Sequence, residues 1–496
     1  MSSVLVALLL ISIIELSLWV PIILRLRKYI TVLVIVGLPF ISVNLIFLKP
    51  SLWTMLILFF SIYRVLNLLR IIENRVHIRY LSHVSRNTSL SLVLLQSATL
   101  GMLWLSSRIG ISLSTWLYTV AYIQLLAAMV LLSSTLRHLH TTKAPSFKND
   151  YSDAQLPTLT IAIPARNETD NLTQCLESLL ACSYPKLEIL VLDDCSQDKR
   201  TPEIIRNFAQ KGVRFLSGKV PPDKWLAKNY AYQQLVDEAS GALIIFCGVD
   251  TRFESNSLMV LVETLLKKDK TMISLIPVNK LSLKPKILSL MIQPSRYAWE
   301  MTLPRRLFNR PPVLSTCWII TNELLTSSGG FDAVANSISP ESYFARKAIE
   351  TSDGYSFIQS YPTIGITTVK NLNDQQATAV RTRYPQLHRR PEVTALVSLV
   401  EFMTLIAPFL MAFYAIQFDQ WSLLIVCLMS SLIQLFIYGK IVRLTYRSAV
   451  IGGYFILPFA AIYDLGLLNY SMWLYEFKTV IWKDRNVCIP IMNVRD

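Results

Sequence analysis

The chain has 496 residues, 52% of them hydrophobic and 16% charged, with a mean hydropathy of +0.42. That is too apolar for an ordinary soluble protein and points to a membrane protein with a soluble insert. The formal charge of +15 comes from 48 Lys and Arg against 33 Asp and Glu. Many of the basic residues flank apolar runs, so the balance points to a membrane surface and away from nucleic acid.

A membrane span needs roughly 17–25 apolar residues. The first block offers Val4–Leu24, Ile30–Leu48, Leu52–Leu69, Leu90–Ser107 and Leu113–Leu132. Arg25–Lys28, the loop 70–86 and Arg137–Lys143 fall on one side of these spans, and only Lys49 and Arg108 on the other. The positive-inside rule therefore predicts five spans over 1–143, an external N-terminus and a cytoplasmic domain after Lys143. Residues 1–24 lack the basic n-region of a cleavable signal peptide, so the first segment is expected to remain as an anchor. The seven Cys are scattered with no CxxC pair, which suggests reduced thiols and neither a disulfide framework nor a zinc site.

Over 150–390 the periodicity changes. Leu159–Pro164 and Leu187–Leu192 read as buried strands; Asn171–Ala181, Thr201–Lys211, Leu226–Ala239 and Ser257–Lys268 read as helices. Alternating strands and helices predict βαβ units in a mainly parallel sheet. Lys284–Pro312 mixes aromatic, aliphatic and basic residues, which suits either a segment lying in the membrane interface or an ordinary packing helix.

Val393–Phe413 and Leu423–Tyr438 are further spans within a second membrane block at 391–480, followed by a cytoplasmic tail at 481–496. The stretch Ala449–Leu474 contains Gly452, Gly453, Pro458, Asp464 and Gly466. A single crossing would leave Lys478, Lys483 and Arg485 outside, so a broken, re-entrant hairpin is expected. Glu15, Arg64, Glu401 and Asp464 lie in or near apolar segments, where charges are costly and point to function.

The chemistry concentrates where strands end in carboxylates: Asn167 and Glu168 after TIAIPAR, Asp193 and Asp194 after LEILVL, and Asp250 after LIIFCGV. In an open α/β sheet, ligands sit outside the carboxyl ends of such strands. Three acidic ends describe a site for a cation and a polar, phosphorylated ligand. Asp after a strand also caps helices, so the pair at 193–194 has a structural reading as well.

Residues 150–390 resemble glycosyltransferase family 2, the inverting, nucleotide-sugar-dependent enzymes of GT-A fold. The likeness rests on IPARNE, VLDDCSQD, CGVDTRF, PPDKWLAKNYA, Gly329-Gly330-Phe331, SPESYFARKAI, YPQLHRR and VIWKDRNV. It is greatest to the membrane-bound group acting on lipids: the hopanoid-associated, carotenoid and ceramide glucosyltransferases. The five preceding spans go beyond that group's usual anatomy.

The resemblance implies an α/β, Rossmann-like GT-A domain between two helical membrane blocks. It implies nucleoside recognition by Pro164, Asn167, Glu168, Asp193 and Asp194, and Lys228 beside the diphosphate. Asp250 matches the second acid of the family's DxD motif, implying Mg2+ or Mn2+ there; Gly248 replaces the first acid. Glu341 is the nearest carboxylate to the expected general base, with Ser342 and Pro340 at the aligned positions and Asp332 a more distant substitute. Gln386, Arg389 and Arg390 resemble a QxxRW motif on the acceptor and diphosphate side; a basic juxtamembrane cluster is the alternative. In VIWKDRNV, which resembles a WxGR close, Asp484 stands where Gly is usual. The implied partners are a nucleotide-sugar, UDP-linked in the nearest groups, and a membrane lipid. Rival readings are a processive polysaccharide synthase and a catalytically silent membrane scaffold.

Overall fold

The structure is a computed structural model and describes residues 2–19, 26–72, 78–110, 112–146, 150–280, 287–303, 311–352, 354–447 and 452–488. The first block contains α1 (Ser2–Ser17), α2 (Arg27–Leu48), α3 (Leu52–Ile72), α4 (Ile78–Ile109) and α5 (Leu113–Thr141). Four of these are long and apolar enough to cross a membrane; the described part of α1 is apolar but shorter. Residues 20–24 of the first expected span lie outside the described residues.

The middle region contains β1 (Leu159–Ala165), α6 (Asp170–Leu180), β2 (Leu187–Asp193), α7 (Arg200–Asn207), β3 (Val213–Ser217), α8 (Ala227–Asp237) and β4 (Leu243–Cys247). There follow β5 (Thr251–Arg252), α9 (Ser257–Lys267), β6 (Met272–Ile276), β7 (Val278–Asn279), α10 (Ser289–Thr302) and β8 (Cys317–Thr321). It closes with α11 (Asn322–Ser327), α12 (Pro340–Ser352), β9 (Tyr355–Gln359), β10 (Thr367–Thr368) and α13 (Leu372–Gln386).

Seven strands form one sheet in the order β3-β2-β1-β4-β8-β6-β9, with β8 alone running against its neighbours. This is the mainly parallel α/β sheet that the alternation predicts. Side chains alternate between its faces: Ile161, Ile163, Ile189, Val191 and Ile245 enter one core, and Ala162, Leu190, Leu192, Ile244 and Phe246 the other. Burial on both faces explains why the strands read as continuous apolar runs. Each of these larger than Ala contributes roughly 1.5–3 kcal/mol.

The chain passes from β1 outward to β2 and β3, then returns to β4 on the other side of β1. That reversal opens a crevice at the carboxyl ends of β1 and β4. A smaller sheet, β5-β10-β7, lies beyond the end of β4 and brings residues 367–370 to Asp250.

The last block contains α14 (Pro391–Glu401), a π-helical turn at Phe402–Ile406, α15 (Ala407–Gln417), α16 (Trp421–Thr445), α17 (Gly452–Phe455) and α18 (Leu457–Phe477). Pro391–Gln417 and Trp421–Thr445 are also long and apolar enough to span. In the stretch expected to be broken or re-entrant, the described residues form α17, a break at Ile456 and then one long helix, α18. Pro458 falls in its first turn, where no backbone donor is lost, and Asp464 is answered by the Arg383 guanidinium of α13. Helix α18 packs along α10, α13 and α14. Beyond it, β11 (Ile481–Trp482) and β12 (Arg485–Asn486) form a hairpin that reaches back to the ends of β1 and β2.

The described part of the segment 284–312 is a packing helix. Ile292, Tyr297 and Met301 of α10 are buried, and α10 contacts α5, α13, α16 and α18. Lys284, Lys286, Arg305, Arg306 and Arg310 lie outside the described residues. In the first block, Glu15 accepts from Arg64 Nε and Nη2 at 2.9 and 2.7 Å, both residues fully buried.

Candidate active site at the strand ends

Each acidic strand end is held by a local device. Asn167 adopts φ +50°, a left-handed conformation that Asn tolerates better than most residues. Its Oδ1 accepts from the Gln197 backbone N–H at 2.8 Å, and its own N–H donates to Ser196 Oγ at 2.9 Å, clamping the β1 loop to the β2 loop. Thr201 Oγ1 brackets Glu168, accepting from its N–H and donating to its carbonyl. Pro164 lies beside Leu192 in the β1–β2 register, half-buried under this loop.

The C-terminal hairpin closes over these residues. Arg485 donates to both carboxylate oxygens of Asp194, at 2.7 and 2.6 Å. Lys483 pairs with the Glu168 carboxylate and donates to the Arg166 carbonyl at 2.9 Å. Asn167 Nδ2 donates to Asp484 Oδ2 at 3.1 Å. Lys483 and Asp484, the two turn residues, have φ +47° and +63°, the geometry of a tight two-residue hairpin turn. Burial raises the Asp194 carboxyl above its ordinary range even against Arg485 and Arg166. Burial likewise raises Glu168 against Lys483. Asp193 remains half-buried, with one carboxylate oxygen accepting from the Ser196 N–H at 3.2 Å.

Two helices each place a charge beside the crevice. On α8, Lys228 lies on the same stripe as Ala231, Tyr232 and Leu235, all buried, so helical spacing turns it inward. Its Nζ sits 5.2 Å from the Tyr232 ring centre. On α12, Glu341 shares a stripe with Phe344, Ala345 and Ala348 and is 3% exposed. The turn before α12 needs left-handed backbone at Gly329 and Gly330, φ +86° and +59°, which glycine adopts without a steric penalty. It inserts Phe331 among Tyr232, Phe246 and Phe344. Glu341 makes no ion pair among the described residues; the nearby Lys228, Arg296 and Arg381 feel its charge.

At the end of β4, Asp250 faces the smaller sheet. Lys370 Nζ lies 3.5 Å from its Oδ2, and Thr368 Oγ1 donates to the same oxygen at 3.2 Å. A Cβ on Gly248 would stand 2.5 Å from Asp250 Oδ1, so the missing acid of the motif leaves the space that Asp250 uses.

A Mg2+ or Mn2+ ion wants oxygen ligands. Asp250 offers one carboxylate, and no group of three or more His, Cys, Asp or Glu among the described residues is arranged to hold a metal. Such an ion fits here as one shared with a bound diphosphate, which would supply most of its ligands.

Beside these residues lies a cavity of about 300 Å3, lined by Lys228, Arg296, Arg381, Trp482 and Arg485 among others. Burial, with the charges of Arg381 and Lys370, pushes Lys228 down to about 8. Burial also lowers Lys370, Arg296 and Arg381. Sequence reasoning missed Arg296, Lys370 and Arg381. Their signal was weak, since neither a motif nor a strand end marks them.

Gln386, Arg389 and Arg390 do not line this cavity. Helix α13 ends at Gln386, and His388 and Arg389 turn left-handed, so the chain has left the helical phase. Gln386 faces a small cleft with Arg383 and Asp464. Arg389 stacks 4.7 Å from the Tyr475 ring centre, and Arg390 pairs with Glu392 at 2.7 Å. Arg381, one and a half turns upstream of Gln386, takes the cavity position instead.

The family model described as glycosyl transferase family 2 matches residues 160–326. Probable glycosyltransferase YdaM of Bacillus subtilis (strain 168) is 30% identical over 156 residues, 31% of this chain and 37% of that protein. A Methanococcus voltae protein, named dolichyl N-acetyl-alpha-D-glucosaminyl phosphate 3-beta-D-2,3-diacetamido-2,3-dideoxy-beta-D-glucuronosyltransferase, is 32% identical over 108 residues, 21% of this chain and 33% of that protein. The chain thus spans about a third of the length of the curated relatives it matches. Among solved structures, mannosyltransferase PcManGT from Pyrobaculum calidifontis, in complex with GDP-Man and Mn2+, is 17% identical with a TM-score of 0.44, covering 72% of this chain and 99% of that one. Residues 160–326 of this chain are therefore similar to glycosyltransferase family 2.

Proposed function

We propose that the protein transfers a sugar from a nucleotide-sugar to a membrane lipid, with inversion at the anomeric carbon, on the cytoplasmic face. The observation that carries this reading is a buried carboxylate, Glu341, with no ion pair among the described residues, whose charge reaches the Lys228, Arg296 and Arg381 that line the cavity at the strand-end crevice. In the reaction Glu341 takes the proton of the acceptor hydroxyl as that oxygen attacks the anomeric carbon and the nucleoside diphosphate departs. Asp193, Asp194, Asn167 and Glu168 orient the nucleoside. Lys228 and Arg381 offset the charge that builds on the leaving diphosphate. Asp250 would hold Mg2+ or Mn2+ against that diphosphate, and the ion would supply further charge neutralisation there.

A lipid acceptor is supported by the six helices among the described residues that are long and apolar enough to cross a membrane and by the Methanococcus voltae relative, whose name specifies a dolichyl-linked phosphate. A UDP-sugar is the donor we favour.

The test is transfer of labelled sugar into extracted lipid by the purified full-length protein, across a panel of UDP- and GDP-sugars with Mn2+. We expect one donor to label lipid, Glu341→Gln to lower kcat by roughly 10^2–10^4, and Asp250→Asn to weaken metal-stimulated turnover. Donor binding without turnover across the panel would replace this reading with the silent scaffold. A ladder of lengthening polysaccharide would replace it with the synthase.

A further inference from the structure

Buried charges are ordinarily paired, because an unpaired ion in a low-dielectric site is costly. The crevice breaks that pattern in one direction. Among the described residues, Lys228, Arg296 and Arg381 form no ion pair, and the fourth cation, Lys370, has Asp250 as its partner at 3.5 Å. Three of the four line one cavity of about 300 Å3. The acids whose charge reaches them are Asp250 and Glu341, with Glu300 beside Arg296. Glu300 accepts from the Val313 N–H at 3.2 Å. The positive charge is therefore in excess on the half-buried cavity wall, which favours an anion supplied from outside the chain.

The Asp250 end of the site explains the excess. In place of a first acid stands Gly248, and Asp250 leans over it toward Lys370 and Thr368. One carboxylate already answered by an ammonium is a weak anchor for a divalent ion. The neighbouring cations lie within electrostatic reach of Asp250 and of one another. Arg381 is further oriented by Trp482, its guanidinium 4.6 Å from the ring centre.

We infer that Lys228, Arg296, Lys370 and Arg381 form a resident counter-ion cluster that binds the diphosphate of the nucleotide directly, so that binding does not depend on a divalent cation. This rests on the proposed donor reading and adds to it the chemistry that holds the donor. Charge-assisted contacts from guanidinium groups to phosphate oxygens are the strong class of hydrogen bond. The mutual repulsion of the four cations is relieved as the diphosphate enters. A divalent ion then contributes to turnover, while the chain itself supplies affinity.

The experiment is calorimetric titration of the full-length protein in nanodiscs with pyrophosphate, UDP, GDP and farnesyl phosphate, each with EDTA and with Mn2+. We expect a nucleoside diphosphate to bind in EDTA within about threefold of its affinity in Mn2+. Lys370→Gln and Arg381→Gln should each weaken binding in EDTA by about tenfold or more. The charge-keeping Lys370→Arg and Arg381→Lys should retain most of it, which separates lost charge from lost folding. Binding seen only with Mn2+ overturns the cluster and leaves the donor reading standing. Farnesyl phosphate binding more tightly than either nucleotide in EDTA also overturns it, assigning the cations to the acceptor. Absence of nucleotide binding in both conditions overturns the cluster and the donor reading together.

Discussion

Lys228 makes the electrostatics of the cavity measurable by pH. Its ammonium is pushed from an ordinary 10.5 to about 8, first by burial and then by the charges of Arg381 and Lys370, with Glu341 and Asp250 opposing. At ~1.4 kcal/mol per pKa unit, that drop corresponds to at most about 3 kcal/mol. A lysine depressed in the folded state binds its proton less tightly than in the unfolded chain. Its stability contribution is therefore present above 10.5 and lost as pH falls from 10.5 to about 8. A bound diphosphate restores the proton, so its affinity should run the other way and fall as pH rises above 8. The full linkage would be about tenfold per pH unit; cavity water screens part of it, leaving roughly tenfold between pH 8 and 10. The assay is the dissociation constant of UDP or GDP at pH 7, 8, 9 and 10. Lys228→Arg keeps its charge over this range and should flatten the profile. A flat wild-type profile, or an equal fall in Lys228→Arg, would refute the placement of this ammonium against the diphosphate.

Three further outcomes follow from the same geometry. Arg485→Met removes the bidentate partner of the buried Asp194 and should free the 481–488 hairpin. Faster hydrogen exchange there and a donor KM raised about tenfold would register it; unchanged exchange would show that the hairpin is held without this pair. Gly248→Asp nominally restores the family acid, yet its Cβ would meet Asp250 Oδ1 at 2.5 Å. Titration should show nucleotide affinity falling, and a gain with Mn2+ would refute the steric argument. In the first block, Arg64→Met leaves the Glu15 carboxylate buried alone. The expected cost is about 3–5 kcal/mol, read as a lowered Tm in detergent with nucleotide affinity unchanged.

The strands and the acids at their ends were legible because both are local in sequence. Strand β1 ends one residue beyond the expected Pro164, and β2 one beyond Leu192, since an apolar run stops where turn residues begin. Glu341 and Lys228 could also have been read as inward-facing from helical phase alone, through Phe344 and Ala348 or Tyr232 and Leu235. What was not legible is pairing across the fold. Lys370 reaches Asp250 only because β5 and β10 are adjacent, in register at Thr367 and Arg252. Arg485 reaches Asp194 only after α18 has carried the chain back to the domain. The glycines and Asp464 of 452–466 read as breaks, but Gly466 sits in open space and Asp464 meets Arg383. The Arg383 partner was not visible in the local pattern.

On the proposed reading, helix α13 links the candidate site to the helices of the membrane blocks. Successive residues on it face different structures: Arg381 the cavity, Arg383 the Asp464 carboxylate of α18, and Tyr384 the Glu476 carboxylate at 2.5 Å. Glu476 in turn holds Arg70, in the last turn of α3, at 2.5 Å. The cleft of Gln386, Asp464 and Gln293 between α10, α13 and α18 holds only about 10 Å3, room for a water molecule and not for a sugar or lipid headgroup. Arg296 and Thr382 line both that cleft and the donor cavity. On the proposed reading, an acceptor hydroxyl moving from the bilayer to Glu341 passes these two side chains, and α18 must separate from α10 or α13 to admit it. The Arg383–Asp464 pair holds that interface shut, so Asp464→Asn should loosen it. The effect should appear as a change in lipid-acceptor KM with donor affinity unaltered. A shift in donor affinity without one in acceptor KM would place the acceptor's path elsewhere.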